Sequence, residues 1–210
     1  MNAVGIDVGG IKKGFHCVAL RDGQYSGKFS SPVAKAVADW CREIAKADVI
    51  AIDAPCRWSN TERGRPAELA LMAKRIFCFS SPTREKASVP GSKFYGWMFQ
   101  GEAIFQELEK SHPLAMEFPI ASPPPLCFET FPHAIAWHLQ GGQANAQRKR
   151  IERKQLLQDA GIDTAALTNI DLIDAALCAL VADHVATGKP CEAYGEPDTG
   201  FIVVPHLKPV

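Results

Sequence analysis

Three observations in the sequence predict an α/β domain: a mixed five-stranded sheet flanked by helices, with a helical insertion. Three strand-like segments joined by turn signals fill the first 29 residues. A later, almost wholly apolar segment has the pattern of an interior parallel strand, and beyond it further strands alternate with helix-like stretches.

Residues 3 to 8 (AVGIDV) alternate, with Val4, Ile6 and Val8 on one face and Ala3, Gly5 and Asp7 on the other. An acid therefore shares a strand face with very small residues. Gly9-Gly10 supplies a turn, residues 14 to 20 (GFHCVAL) read as a second strand, and Asp22-Gly23 is a hairpin signal into a third, Gln24 to Phe29. After Ser30-Ser31-Pro32, a cap-then-proline start, Val33, Val37, Trp40 and Ile44 recur at helical spacing and predict one amphipathic helix over the sheet. Asp48 to Asp53 (DVIAID) is the apolar strand, and it delivers Asp53 to the carboxyl end, where open α/β sheets place ligands. Residues 56 to 124 are read as an insertion or lid within a single domain spanning 1 to 210, with helices over Pro66 to Ile76 and Gly96 to Glu109 joined by a loop from Ser80 to Ser92. Leu126 to Phe131 (LCFETF) is a short strand bearing Glu129. A charged helix from Gln147 to Asp159, an apolar one from Asp171 to Ala186 and a closing strand, Gly200 to Val204, follow.

The composition bounds what such a domain does. At 210 residues, 47% apolar and 22% charged, the chain is long enough to bury a full core and far from a disordered composition. Lys plus Arg and Asp plus Glu both count 23, so no global field draws nucleic acid or anionic membrane, and any polyanion contact must be local. The seven cysteines form no CxxC pair, and Cys17, Cys127 and Cys178 sit inside apolar runs, as buried thiols of a reducing compartment do. The longest largely apolar stretch, Leu172 to Ala182, is too short for a bilayer, and no signal segment precedes Ala3. The expectation is a cytoplasmic protein without a membrane partner, with a homo-oligomer left open.

Strand, strand, strand, helix, strand, helix, strand, helix, with acids on the first strand, at later strand ends and on the last long helix, is the RNase H-like order. Asp7, Asp53, Glu129 and Asp174 are the predicted catalytic set, and these with Asp171 the predicted ligands of Mg²⁺ or Mn²⁺. Paired divalent ions take several carboxylates from different elements because each prefers oxygen donors and their charges must be neutralised together. Asp174 carries the strongest signal, since its neighbours Leu172, Ile173, Ala175, Ala176, Leu177 and Cys178 are apolar and a buried acid without a partner is costly. Asp171 has a simpler reading: with Thr168 as N-cap, its carboxylate favours the helix dipole. Lys12, Arg65, Arg148, Arg150 and Arg153 are candidates for contact with a phosphate backbone of DNA or RNA, and Arg75 for a structural pair with Glu68. His133 reads as a helix-start residue rather than a catalytic one.

The segments VGIDVGG, AIDAP at 51 to 55, FETFPHA at 128 to 134, DLIDAALCALVA at 171 to 182 and GFIVVP at 200 to 205 together resemble the domain-of-unknown-function 429 family, predicted nucleases of RNase H-like fold. The resemblance runs nearly end to end. It implies that fold, a metal-dependent nuclease activity, and acid placement at Asp7, Asp53, Glu129, Asp171 and Asp174. The helix-borne acid pair is also similar to that of Holliday-junction resolvases, which share the superfamily. Two other functions compete. GIDVGGIKKG resembles the first phosphate loop of the sugar kinase and actin superfamily, whose nucleotide-binding phosphotransferases use two RNase H-like halves and a second Gly-rich loop that this chain lacks. A non-catalytic RNase H-like binding domain is the third reading.

Overall fold

The computed structural model describes residues 1–90 and 94–209. Strands β1 (Asn2–Val8), β2 (Phe15–Arg21) and β3 (Gln24–Ser31) form an antiparallel meander. Asp22 and Gly23 turn β2 into β3 with φ of 50° and 75°, the left-handed pair that a tight two-residue hairpin requires. On its other side β1 pairs in parallel with β4 (Val49–Asp53), β4 with β5 (Leu126–Glu129) and β5 with β7 (Gly200–Pro205), and β6 (Cys191–Glu196) closes the far edge antiparallel to β7. The order is β3-β2-β1-β4-β5-β7-β6. Its first five positions carry the RNase H-like arrangement, and the sheet has seven strands where five were predicted.

The far edge is a hairpin of β6 and β7: β7 is the closing strand expected over Gly200 to Val204, and β6 is the strand the sequence did not mark. In β6 (CEAYGE) only Tyr194 is buried, so neither a clean alternation nor an apolar run marks it as a strand.

Two layers of helix cover the sheet. On one face Ala3, Val49, Ala51 and Phe128 pack beneath α7 (Ile170–Ala186) and α5 (Pro132–Leu139). On the other, Val4, Ile6, Val8, Ile50 and Ile52 meet α1 (Ala34–Asp39) and its extension, a π-type turn over Trp40–Ile44. The predicted stripe shifts: Val37 stays buried, Val33 is the exposed N-cap, and past the wider turn Ile44 is exposed while Ala45 is buried, with Ala38 and Cys41 also in the core. The segment between β4 and β5 contributes to both faces. Its α2 (Pro66–Ala73) buries Ala67 and Leu71 with β6 and β7, and α4 (Gly96–Leu108) buries Ile104, Phe105 and Leu108 beside α1; α3 (Arg84–Ala87) lies between them. It is built into the core rather than standing off as a lid. The last two residues of the predicted Ser80 to Ser92 loop lie outside the described residues. The charged helix α6 (Lys149–Asp159) packs on α7. Among the described residues no helix is long and apolar enough to cross a membrane.

The tightest contact between layers lies at Gly5. A Cβ there would sit 2.0 Å from the Ala175 carbonyl oxygen and 2.2 Å from the Ala179 nitrogen, so the backbone of α7 rests directly on β1. The small residues that share a face with Asp7 are therefore the seat of the helix. Gly5→Ala is expected to force α7 off the sheet and destabilise the protein by roughly 3 kcal/mol, lowering the melting temperature by roughly 6–12 °C. A variant that melts with the wild type would show that the helix is not held at this distance.

Candidate active site

Asp7 and Asp53 are register partners in the parallel β1–β4 pair. Their side chains leave the same face of adjacent strands, which lie about 4.8 Å apart. That face is the one on which α7 rests, and the close approach at Gly5 brings Asp174, one turn inside the helix and buried, over the two strand acids. Arg153 of α6 reaches across to Asp174, Nη1 donating to Oδ1 at 2.5 Å, with both side chains buried. At the start of α7, Asp171 accepts from Lys13 Nζ at 2.5 Å. The helix cap is Asn169, not Thr168: its side chain accepts from the Leu172 N–H at 2.8 Å. Asp171 lies in the first turn but is also pinned by a lysine from the β1–β2 loop.

The electrostatics follow from this crowding. Burial first, then the charges of Asp174 and Asp171, push the Asp7 carboxyl up to about 7 against the pull of Lys13 and Lys149. Burial, then Asp7 and Asp174, likewise hold Asp53 well above the ordinary carboxylate range. Asp174 is raised by burial although Arg153 opposes it. His16 of β2 stands opposite Asp7 in the antiparallel pair; its Nδ1 is buried without a hydrogen-bond partner, and burial pushes its imidazole down. No sequence signal singled out His16, because it sits within an apolar strand run.

Glu129 lies elsewhere. It is in register with Ile52, one residue before Asp53, so the pleat turns it to the opposite face of the sheet. There Arg65 grips it with two bonds, Nη2 to Oε1 at 2.6 Å and Nη1 to Oε2 at 2.7 Å, and the Cys56 N–H adds a third at 2.8 Å. Arg65 also donates through Nε to Glu68 at 2.9 Å, and Glu68 accepts from both the N–H and the hydroxyl of Ser81. Arg65 is only 1% exposed, which corrects its reading as a substrate contact; it, rather than Arg75, is the partner of Glu68. Arg153 is corrected in the same way, being the buried counter-ion of Asp174. Lys12 remains exposed, whereas its neighbour Lys13 reaches the acids. Arg148 and Arg150 are exposed, the latter donating to the Thr168 carbonyl.

The chemistry open to this cluster is narrow. Asp7, Asp53 and Asp174 have one guanidinium between them, and the carboxylate oxygens crowded on one face are the donor type hard divalent cations prefer. Among the described residues no three His, Cys, Asp or Glu side chains are already arranged around a common cation position. The donors fit Mg²⁺ or Mn²⁺ in kind and in charge. The β1–β2 turn is less suited to cradle a phosphate, because the N–H groups of Gly9, Lys13 and Gly14 are bonded to the loop's own carbonyls.

Two expectations follow. Folded Asp7 holds its proton more tightly than an unfolded aspartate near 3.8, so its contribution is fully present below pH 3.8 and is lost as pH rises through about 7. Melting curves in EDTA should show metal-free wild type losing up to about 4 kcal/mol across that window relative to Asp7→Asn. Parallel pH profiles of the two proteins would contradict the crowding. For the opposite face, Glu129→Ala strands the Arg65 charge and is expected to cost about 3–5 kcal/mol in a denaturant titration, and a neutral outcome would deny the pair its structural role.

Comparison with known proteins gives a family and a structural neighbour. A family model described as "Protein of unknown function (DUF429)" matches residues 5–199. Among solved structures the chain is similar to a Thermus thermophilus RuvC structure, with 14% sequence identity and a TM-score of 0.47 over 90% of this chain and 97% of that one. No curated protein matches the sequence.

Proposed function

This chain belongs to the DUF429 family, and from that premise we propose that it is a metal-dependent nuclease, hydrolysing nucleic-acid phosphodiester bonds at Asp7, Asp53 and Asp174, with Asp171 at the margin. The observation that carries this reading is the convergence of three carboxylates from β1, β4 and α7 on one sheet face with a single arginine to balance them. A structural role would favour neutral or paired groups at such a place, since uncompensated buried carboxylates oppose folding. A bound Mg²⁺ or Mn²⁺ would supply an activated water and a Lewis acid for the leaving 3′-oxygen.

The residues around the cluster have separable tasks in this reading. Asp7 and Asp53, fixed by the sheet, form the rigid part of the ligand set. Asp174 is oriented by Arg153, which holds one carboxylate oxygen and leaves the other free. Lys13 restrains Asp171 at the rim. Lys12, Arg148 and Arg150 are exposed cations available to DNA or RNA phosphates. Glu129 supports the site from behind through Arg65 and has no place among the ligands.

Incubation with Mn²⁺ and a panel of single-stranded, duplex and branched DNA and RNA tests this. Cleavage is expected to depend on the cation and to fall by about 100-fold or more in Asp7→Asn and Asp174→Asn, with Mn²⁺ binding, read by calorimetry, lost in parallel. Cleavage and Mn²⁺ binding that survive both substitutions would overturn the assignment. ATP turnover without cleavage would favour the phosphotransferase reading.

A further inference from the structure

Aromatic rings that the core does not use lie beside the acid cluster. Phe77, Phe79 and Phe94 are 72%, 67% and 61% exposed. Phe79 is the hub: its centroid is 5.9 Å from that of Phe94, edge-on, and 6.3 Å from that of the half-buried Trp97. Edge-on packing uses one face of one ring only, and at this exposure ring surface remains for a further flat partner. A contiguous exposed patch of large apolar side chains is itself a sign of use.

The position of the patch supplies the chemistry. Asp53, Phe79, Trp97 and Phe131 line one cleft together with Arg65 and Glu129, so the aromatic surface borders the carboxyl end of β4 that carries Asp53. On another side the start of α4 meets the β1–β2 loop, where a Cβ at Gly96 would touch Ile11 Cδ1 at 3.9 Å. That loop carries exposed Lys12, and Lys13 with its ammonium on Asp171. Stacking faces, cations and carboxylates thus border one another.

We propose that the Phe79, Phe94 and Trp97 cluster stacks unpaired nucleobases and presents the adjoining phosphodiester to the acids, making single-stranded nucleic acid the substrate class. This rests on the nuclease reading. A protein ring can stack on a base only when that base has left its own neighbours, whereas a duplex buries its base faces. Duplex binding relies instead on a broad basic surface, and this chain has equal numbers of basic and acidic residues.

The test is fluorescence anisotropy of a labelled mixed-sequence strand and of its duplex, titrated with Asp7→Asn protein in EDTA, with DNA and RNA as separate arms. The single strand is expected to bind at least tenfold more tightly than the duplex, whichever sugar is preferred. Phe79→Ala should weaken single-strand binding by roughly 5- to 100-fold while leaving the melting temperature unchanged, because the ring is exposed. Phe79→Tyr should retain binding, and Ile44→Ala, at an exposed apolar residue closing the π-type turn after α1, should have no effect. Single-strand affinity unchanged in both Phe79→Ala and Trp97→Ala, or a duplex bound as tightly as the strand, would overturn the proposal and point to a protein partner for the patch. Cleavage with Phe79-independent affinity sinks stacking and leaves the nuclease standing. Phe79-dependent affinity with neither Mn²⁺ binding nor cleavage sinks the nuclease and leaves stacking.

Discussion

The backbone of α7 lies directly on β1 at Gly5, beside the Cys178 Cβ, and the rest of the site depends on that approach. A strand and a helix normally stand apart by the thickness of their side chains. Glycine removes that spacer on the strand side, and the helix meets it with the backbone of Ala175 and Ala179 and the small Cys178 side chain. Asp174, one residue before Ala175, is thereby lowered onto the face that carries Asp7 and Asp53. With a bulkier residue at position 5, the helix acid would no longer lie close over the two strand acids.

The sheet separates two buried charge systems by pleat parity. On one face two carboxylates, Glu129 and Glu68, share the Arg65 guanidinium, and all four of their oxygens accept hydrogen bonds, with further donors in the Cys56 and Arg65 N–H groups and in Ser81; the network ties the β4–β5 connection to the sheet. On the other, three acids share one arginine and their carboxyls are held above the ordinary range by burial and by one another. A network whose every oxygen is hydrogen-bonded is structural, because removing one partner leaves the others buried and uncompensated. The aspartate cluster keeps carboxylates without a cationic partner, a deficit that an incoming cation relieves.

Several details of the site turned on choices between adjacent residues, and sequence patterns do not resolve those. Lys13 rather than Lys12 meets Asp171, and Asn169 rather than Thr168 caps α7, because turn geometry decides which of two suitable neighbours points inward. Arg153 sits in a basic cluster with Arg148 and Arg150, yet α6 turns it alone toward Asp174. The π-type turn over Trp40–Ile44 moved the buried stripe of α1 off its predicted positions, since that prediction assumed a regular helix throughout.

The sequence by itself determined the first five strands, the last long helix and the elements that carry Asp7, Asp53 and Asp174, because period-two alternation, an apolar strand run and an acid among apolar helical neighbours are local signals. Only the tertiary structure decided that Glu129 faces away from them. That decision rests on which residue of β4 stands beside it: the register aligns Glu129 with Ile52 instead of Asp53, and a shift of one residue reverses every side chain of a strand. Register is fixed by contacts between elements far apart in the chain, and so are the counter-ions Arg65 and Arg153 that separate a structural carboxylate from a candidate catalytic one.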